Sequence, residues 1–195
     1  MPEAALPDDA AGTRTPEPQG RDAAVRLART WFIDSRRIEM RALADELGVS
    51  RMTINRWVGS RDQLIGTITW GLAENALDRA RERATGSGVE VVAGTLEGFI
   101  ATVLDAPFQR AFLRQEGEIA LRILTTRSSH LQRNFIAYVA ELLRDELPES
   151  AERMPIDDLA YLLVRIAESF CYVDLICGGE PDASKVGVAV RLLLS

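Results

Sequence analysis

From about residue 22 to the C-terminus, apolar residues recur every three or four positions, and no run alternates at every second residue. Val25, Ala28, Trp31 and Phe32 share one face of a helix that begins near Asp22. A short second helix is expected from about Met40 to Leu47, stopped by Gly48, which tolerates a left-handed backbone. Ser50 is placed to cap a third helix reaching about Trp57. Gly59 breaks it, and Ser60 with Gln63 forms a capping box for a longer fourth helix to about Ala84. After the loop Thr85–Glu90, helices are expected at about 90–105, 107–124, 128–147, 155–177 and 182–194, punctuated by Pro107, Pro148, Pro155 and Gly178 to Pro181. Residues 1–20, with four of the eight prolines and almost no large apolar side chain, read as a disordered tail. The expectation is an all-α chain of about nine helices.

Composition adds little to that picture, but charge changes it. Hydrophobic residues make up 47% and charged residues 27%, ordinary values for a globular chain. The net charge is −6, yet the stretch from Gly20 to Arg61 carries nine Arg against five acids. That segment is +4 and the remainder −10, so a basic module sits on an acidic body. Such a distribution attracts phosphate locally while the body stays off a nucleic acid. Cys171 and Cys177 have no metal-site spacing and only one His to accompany them, so they read as reduced core residues. No metal and no cofactor are expected. Neither a membrane span nor a signal peptide is apparent, and the chain is expected to be cytoplasmic.

The basic module contains two short helices around a glycine turn. Met40, Leu43, Leu47, Val49, Ile54 and Trp57 or Val58 are apolar, with the small Ala44 four residues before Gly48. In a helix-turn-helix, a small residue lets the helices approach while Val49 and Ile54 lock the second onto the first. With those positions turned inward, Arg51, Met52, Thr53, Asn55 and Arg56 must face outward. A slender polar helix of this kind fits a major groove of roughly 12 Å.

The run "RALADELGVSRMTINRWVGSRDQLI" resembles the DNA-binding domain of TetR-type transcriptional repressors. Ala44, Gly48, Val49, Ser50, Thr53, Ile54, Gly59, Ser60, Arg61, Asp62 and Leu64 match the family pattern over about residues 22–70. The departures are Glu39, Asn55, Trp57 and Val58, which stand where the family usually has Thr, Tyr, His or Tyr, and Phe. Asn-Arg-Trp-Val is similar to the branch of repressors of quorum-sensing-lactone degradation (QsdR-like). The resemblance implies a DNA-binding domain at 21–66 and a helical effector-binding and dimerisation domain at 67–195. It also implies phosphate contacts from Ser50, Thr53 and Arg61.

Arg51, Met52, Asn55 and Arg56 are the candidates for base edges: Arg for guanine, Asn for adenine, Met for a thymine methyl. Arg41 on the preceding helix joins the DNA-contact set. The plain alternative for Arg51 and Arg56 is a solvated helix face. Trp57 has two readings, packing beneath the helix or placing its indole N–H on a phosphate.

The helix expected at 155–177 is apolar on two sides, so it should be buried on two sides. Leu163, Ala167, Phe170 and Cys171, with Val186, Val190 and Leu193 of the last helix, are the expected homodimer interface. A small-molecule effector pocket, implied by the resemblance, could be walled by Phe99, Val103, Phe108, Phe112, Phe135, Tyr138, Tyr161 and Tyr172. Glu116, Arg122, Arg165 and Glu168 are its polar candidates, and plain core is the alternative for each aromatic. The expected partners are double-stranded operator DNA, an apolar or amphipathic effector (lactone or acyl type by the branch resemblance) and a second copy of the chain. No catalytic residues are expected: the sequence has no phosphate loop, nucleophile elbow or metal-ligand pair. The competing readings are a helical adaptor using the surface at 155–194, an effector-independent DNA-binding regulator and, last, an enzyme with an accessory helix-turn-helix.

Overall fold

Side-chain caps and left-handed glycines set the first helix boundaries. The structure, a computed structural model, describes residues 17–126 and 130–195. Helix α1 (Glu17–Ile33) begins earlier than its apolar face, because residues 17–20 add a polar turn whose Gly20 lies flat against the Trp57 ring. The rest of the expected tail, residues 1–16, lies outside the described residues. Helix α2 (Met40–Glu46) ends at Leu47, and Gly48 turns the chain with φ +66°. Helix α3 (Arg51–Val58) is capped by Ser50, whose hydroxyl accepts from the Thr53 amide at 3.1 Å. Gly59 closes it with φ +74°. Ser60 and Gln63 then form a reciprocal capping box at the start of α4 (Arg61–Arg83).

Ala24, Ala28, Trp31, Leu43, Ala44, Ile54 and Leu64 bury the contacts among these four helices. Ile54 is fully buried, so its truncation to Ala would cost about 2–5 kcal/mol. Helix α4 continues as a long rod into the second group: α5 (Val89–Asp105), α6 (Pro107–Thr125), α7 (Leu131–Glu146), a 3₁₀ turn (Pro148–Glu152), α8 (Ile156–Cys171), α9 (Val173–Cys177) and α10 (Ala183–Leu194). Among the described residues there are ten α-helices and no strand.

Helix α5 is central, packed by α4, α7, α8 and α10. Small residues allow the close approaches. Gly94 and Gly98 of α5 face Ala84 and Ala80, and Gly187 of α10 lies under the Glu97 carboxylate. Two expected helices are interrupted. The segment 155–177 bends at Tyr172 (φ −111°, ψ 19°), which separates α8 from α9 and gives one helix more than expected. Within α6, Gly117 leaves helical geometry at φ 45°, ψ −114°, values that favour glycine. Cys171 is buried as expected, whereas Cys177 is exposed on the short α9. No single helix among the described residues is long and apolar enough to cross a membrane.

Candidate nucleic-acid interface and ligand cavity

The inward turn of Ile54 and the cap at Ser50 determine what α3 presents. Arg51, Met52, Asn55 and Arg56 are exposed, and Met52 is 81% exposed. Thr53 is half-buried, its hydroxyl 2.9 Å from that of Ser50. Arg41 is exposed on α2. Trp57 lies beneath α3, 9% exposed, packed on α1 at Gly20, and its indole N–H has no hydrogen-bond partner among the described residues. In this structure the packing alternative describes Trp57.

Arg61 sits elsewhere than a solvent-facing helix start. Its Nη1 donates to Glu116 Oε2 at 2.9 Å, its Nη2 to Glu116 Oε1, and its Nε to the Ile38 carbonyl at 2.7 Å. The Glu116 side chain is 4% exposed and that of Arg61 20%. A second pair lies beside it: Arg122 Nη2 donates to Asp62 Oδ2 at 2.7 Å. The first two residues of α4 are thus both tied to α6, on either side of the Gly117 break. Arg37 also approaches Glu116, at 3.6 Å, from the loop before α2. Sequence reasoning missed this seam because the partners are 55 and 60 positions apart, and only the fold joins them.

Behind the seam lies a cavity of about 230 Å³ between α1, α4, α5, α6, α7 and α8. Phe99, Val103, Phe108, Phe135, Glu168 and Tyr172 line it. Phe99 and Phe135 meet edge to face, with centroids 5.1 Å apart. Phe32 of α1 forms part of the wall and meets Phe108 and Phe112 with ring centroids 5.6 and 5.2 Å apart, so the cavity reaches α1, which packs on α2 and α3.

The other expected pocket residues lie outside this wall. Phe112 and Glu116 belong to the seam. Tyr138 donates to Asp78 at 3.0 Å on the α4–α7 surface. Tyr161 is exposed, and Arg165 Nη1 donates to Glu168 Oε2 at 2.5 Å and to the Thr125 carbonyl at 3.4 Å. Arg122 is on the seam with Asp62. Their aromatic or charged character was visible in the sequence, but their helix faces were not.

Glu168 is buried, accepting from Arg165 and from Gln132 Nε2. Burial pushes its carboxyl up to about 7 against the opposing pull of Arg165 and Gln132. Burial likewise pushes the neighbouring Cys171 thiol up to about 12 and holds the Tyr172 hydroxyl protonated. Sequence reasoning missed Gln109 and Thr69, which also line the cavity. Each is a polar residue at a helix position facing the core, and that register was the available signal.

The expected dimer residues divide. Leu163, Ala167, Cys171, Val186 and Val190 point into the protomer's own core, because α5 and α7 cover that face of α8 and α5 covers that face of α10. Phe170 and Leu193 are half-buried. The apolar surface left open on these helices is instead Tyr161, Val188 and Leu192.

Comparison with known proteins agrees with this architecture. The family model described as "Tetracyclin repressor-like, C-terminal domain" matches residues 87–195. No curated protein matches the chain. Among solved structures, the transcriptional repressor QsdR of the TetR family from R. erythropolis is similar, with 25% identity and a TM-score of 0.83. The match covers 92% of this chain and 96% of that one. The TetR-family repressor AlkX from Dietzia sp. strain DQ12-45-1b, implicated in biodegradation of n-alkanes, has 22% identity and a TM-score of 0.60. That match covers 94% of this chain and 97% of AlkX.

Proposed function

Because the chain belongs to the TetR family, we propose that it is a ligand-responsive repressor that binds an inverted-repeat operator as a homodimer. In this reading residues 21–66 bind DNA and residues 67–195 bind the effector and the second copy. The setting is the cytoplasm, where operator DNA is found. Met52, Arg51, Asn55 and Arg56 read base edges from α3, while Ser50, Thr53, Arg41 and released Arg61 contact phosphates. A small apolar or amphipathic effector enters the cavity behind the seam.

The observation that carries this reading is the physical continuity between cavity and reading helix. The cavity wall includes Phe32 of α1, and α4 and α6 that form it are bolted together at Arg61–Glu116 and Asp62–Arg122. A ligand that alters α6 therefore alters how α4 holds α3. A coupling of about 1–3 kcal/mol would change operator affinity about 5–150-fold. Exposed Val188 and Leu192 on α10, with Tyr161 on α8, support a two-fold partner at that end.

Selection of bound sequences from random duplex, followed by a screen for small molecules that release the complex, tests the proposal. The expected product is an inverted repeat whose half-sites lie about one or more helical turns apart. Recovery of no sequence preference would refute the operator reading.

A further inference from the structure

Within the cavity of the proposed effector reading, one amide side chain makes no hydrogen bond to the described residues. Gln109, in the first turn of α6, is 8% exposed and lines the wall, and its amide has no hydrogen-bond partner among the described residues. The threonine hydroxyls of the wall are occupied: Thr69 Oγ1 donates to the Ile65 carbonyl at 2.8 Å, and Thr102 Oγ1 donates to the Gly98 carbonyl at 2.9 Å. No hydrogen bond to the described residues uses the Gln109 amide, so its donor and acceptor are free for a group that enters the cavity. The turn that carries Gln109 is also a helix N-terminus, whose first N–H groups lack helical acceptors and favour an acceptor nearby.

The buried charge of the cavity is already answered. Glu168 is held by Arg165 and by Gln132, whose Nε2 also donates to the Leu124 carbonyl at 2.7 Å. An anionic head would face that carboxyl with no unspent cation beside it. A cationic head would be desolvated against a charge that Arg165 has already met. Arg79 is the remaining charged wall residue, and it lies exposed, donating to the Asn75 carbonyl at 2.9 Å. Solvent screens it there.

Size limits the body of the ligand. A dry cavity of roughly 150 Å³ holds one benzene. On that scale the 230 Å³ here holds roughly nine or ten non-hydrogen atoms. Phe99, Phe135, Val103 and Leu131 supply an apolar lining for most of them.

We propose that the cavity selects an uncharged amphipath of about that size, whose single hydrogen-bonding head completes Gln109 while its apolar body lies among the phenylalanines. This deepens the effector reading and rests on it. Fatty-acid anions and alkylammonium ions of the same length are disfavoured by roughly tenfold or more.

Calorimetric titration of the full chain, without DNA, tests the selection. The probes are octanamide, octanoate, octylammonium and n-butylbenzene, each of roughly ten non-hydrogen atoms. Octanamide is expected to bind at least roughly tenfold more tightly than the other three. In Gln109→Leu, of similar volume, octanamide is expected to lose roughly tenfold while n-butylbenzene keeps its affinity. The thermal midpoint of the variant, compared with the parent, checks that it folds. Octanoate or octylammonium binding as tightly as octanamide would overturn the proposal, as would octanamide affinity unmoved in Gln109→Leu. Binding without head-group preference overturns only the proposed class and leaves the cavity as an effector site. Binding of none of the four overturns both.

Discussion

Arg61 grips Glu116 with both terminal nitrogens of its guanidinium, so the residue aligned with a phosphate contact is occupied by a carboxylate of the other helix group. A carboxylate and a phosphate use the same fork of donors, and one guanidinium edge cannot serve both. Glu116→Gln is expected to loosen the grip and raise affinity for specific and random duplex alike by a few-fold. The slope of log K against log salt should stay as in the parent, where released Arg61 already meets a phosphate, and flatten by about 0.9 in Arg61→Ala. Fluorescence anisotropy across a salt series measures both, and a slope unchanged in Arg61→Ala would place Arg61 off the DNA.

The same pair makes an asymmetric stability prediction. Arg61→Ala leaves a nearly buried carboxylate with only the exposed Arg37 near it and should cost about 2–4 kcal/mol, besides weakening binding to any duplex. Glu116→Ala leaves Arg61 able to reach solvent and should cost about 1–3 kcal/mol. Urea denaturation of the two variants gives the comparison, and equal losses would contradict the burial argument.

Met52 is too exposed to hold the fold together. Met52→Ala should change stability by less than about 0.5 kcal/mol while altering base preference at one operator position. Repeating the sequence selection with this variant checks it. An identical consensus would remove Met52 from the reading set.

Two glycines in helices should respond oppositely to Ala. A Cβ at Gly20 would fall 2.4 Å from the Trp57 ring, so Gly20→Ala should destabilise by about 1–3 kcal/mol. A Cβ at Gly71 meets nothing within 4 Å, and Gly71→Ala should stabilise by about 0.5–1 kcal/mol. Thermal melts of both variants decide the matter by sign alone.

Glu168 gives the chain a pH signature. Its folded carboxyl is raised from 4.5 to about 7, so the folded state binds the proton more tightly than the unfolded one. The resulting stabilisation is full below about pH 4.5 and is lost as pH rises through about 7, a range of about 3 kcal/mol. Glu168→Gln should flatten this part of the stability–pH curve. A curve of the same shape in the variant would mean another group is responsible.

How much of this was legible in the sequence depends on the kind of signal. Ser50, Ser60, Gln63, Gly48 and Gly59 act on neighbours within a turn, and their roles could be read directly from spacing. Gly117 and Tyr172 interrupt helices whose apolar spacing runs on unbroken, so periodicity missed both. Leu163 and Val186 were assigned to a partner because two apolar faces are visible in a helical pattern. Which face meets the protomer's own core depends on where α5 and α7 lie, and that is a tertiary fact. Arg61 illustrates the same limit for charge: its partner is decided by a helix 55 positions away.

The central claim is sequence-selective DNA binding by α3 on a phosphate-attracted module. Its most direct measurement is the affinity of the purified chain for its selected duplex and for random duplex of the same length, from 50 to 200 mM salt. Both affinities are expected to fall steeply with salt, and the selected duplex to stay at least about 1,000-fold preferred. Equal affinity for the two duplexes, or binding indifferent to salt, would contradict it.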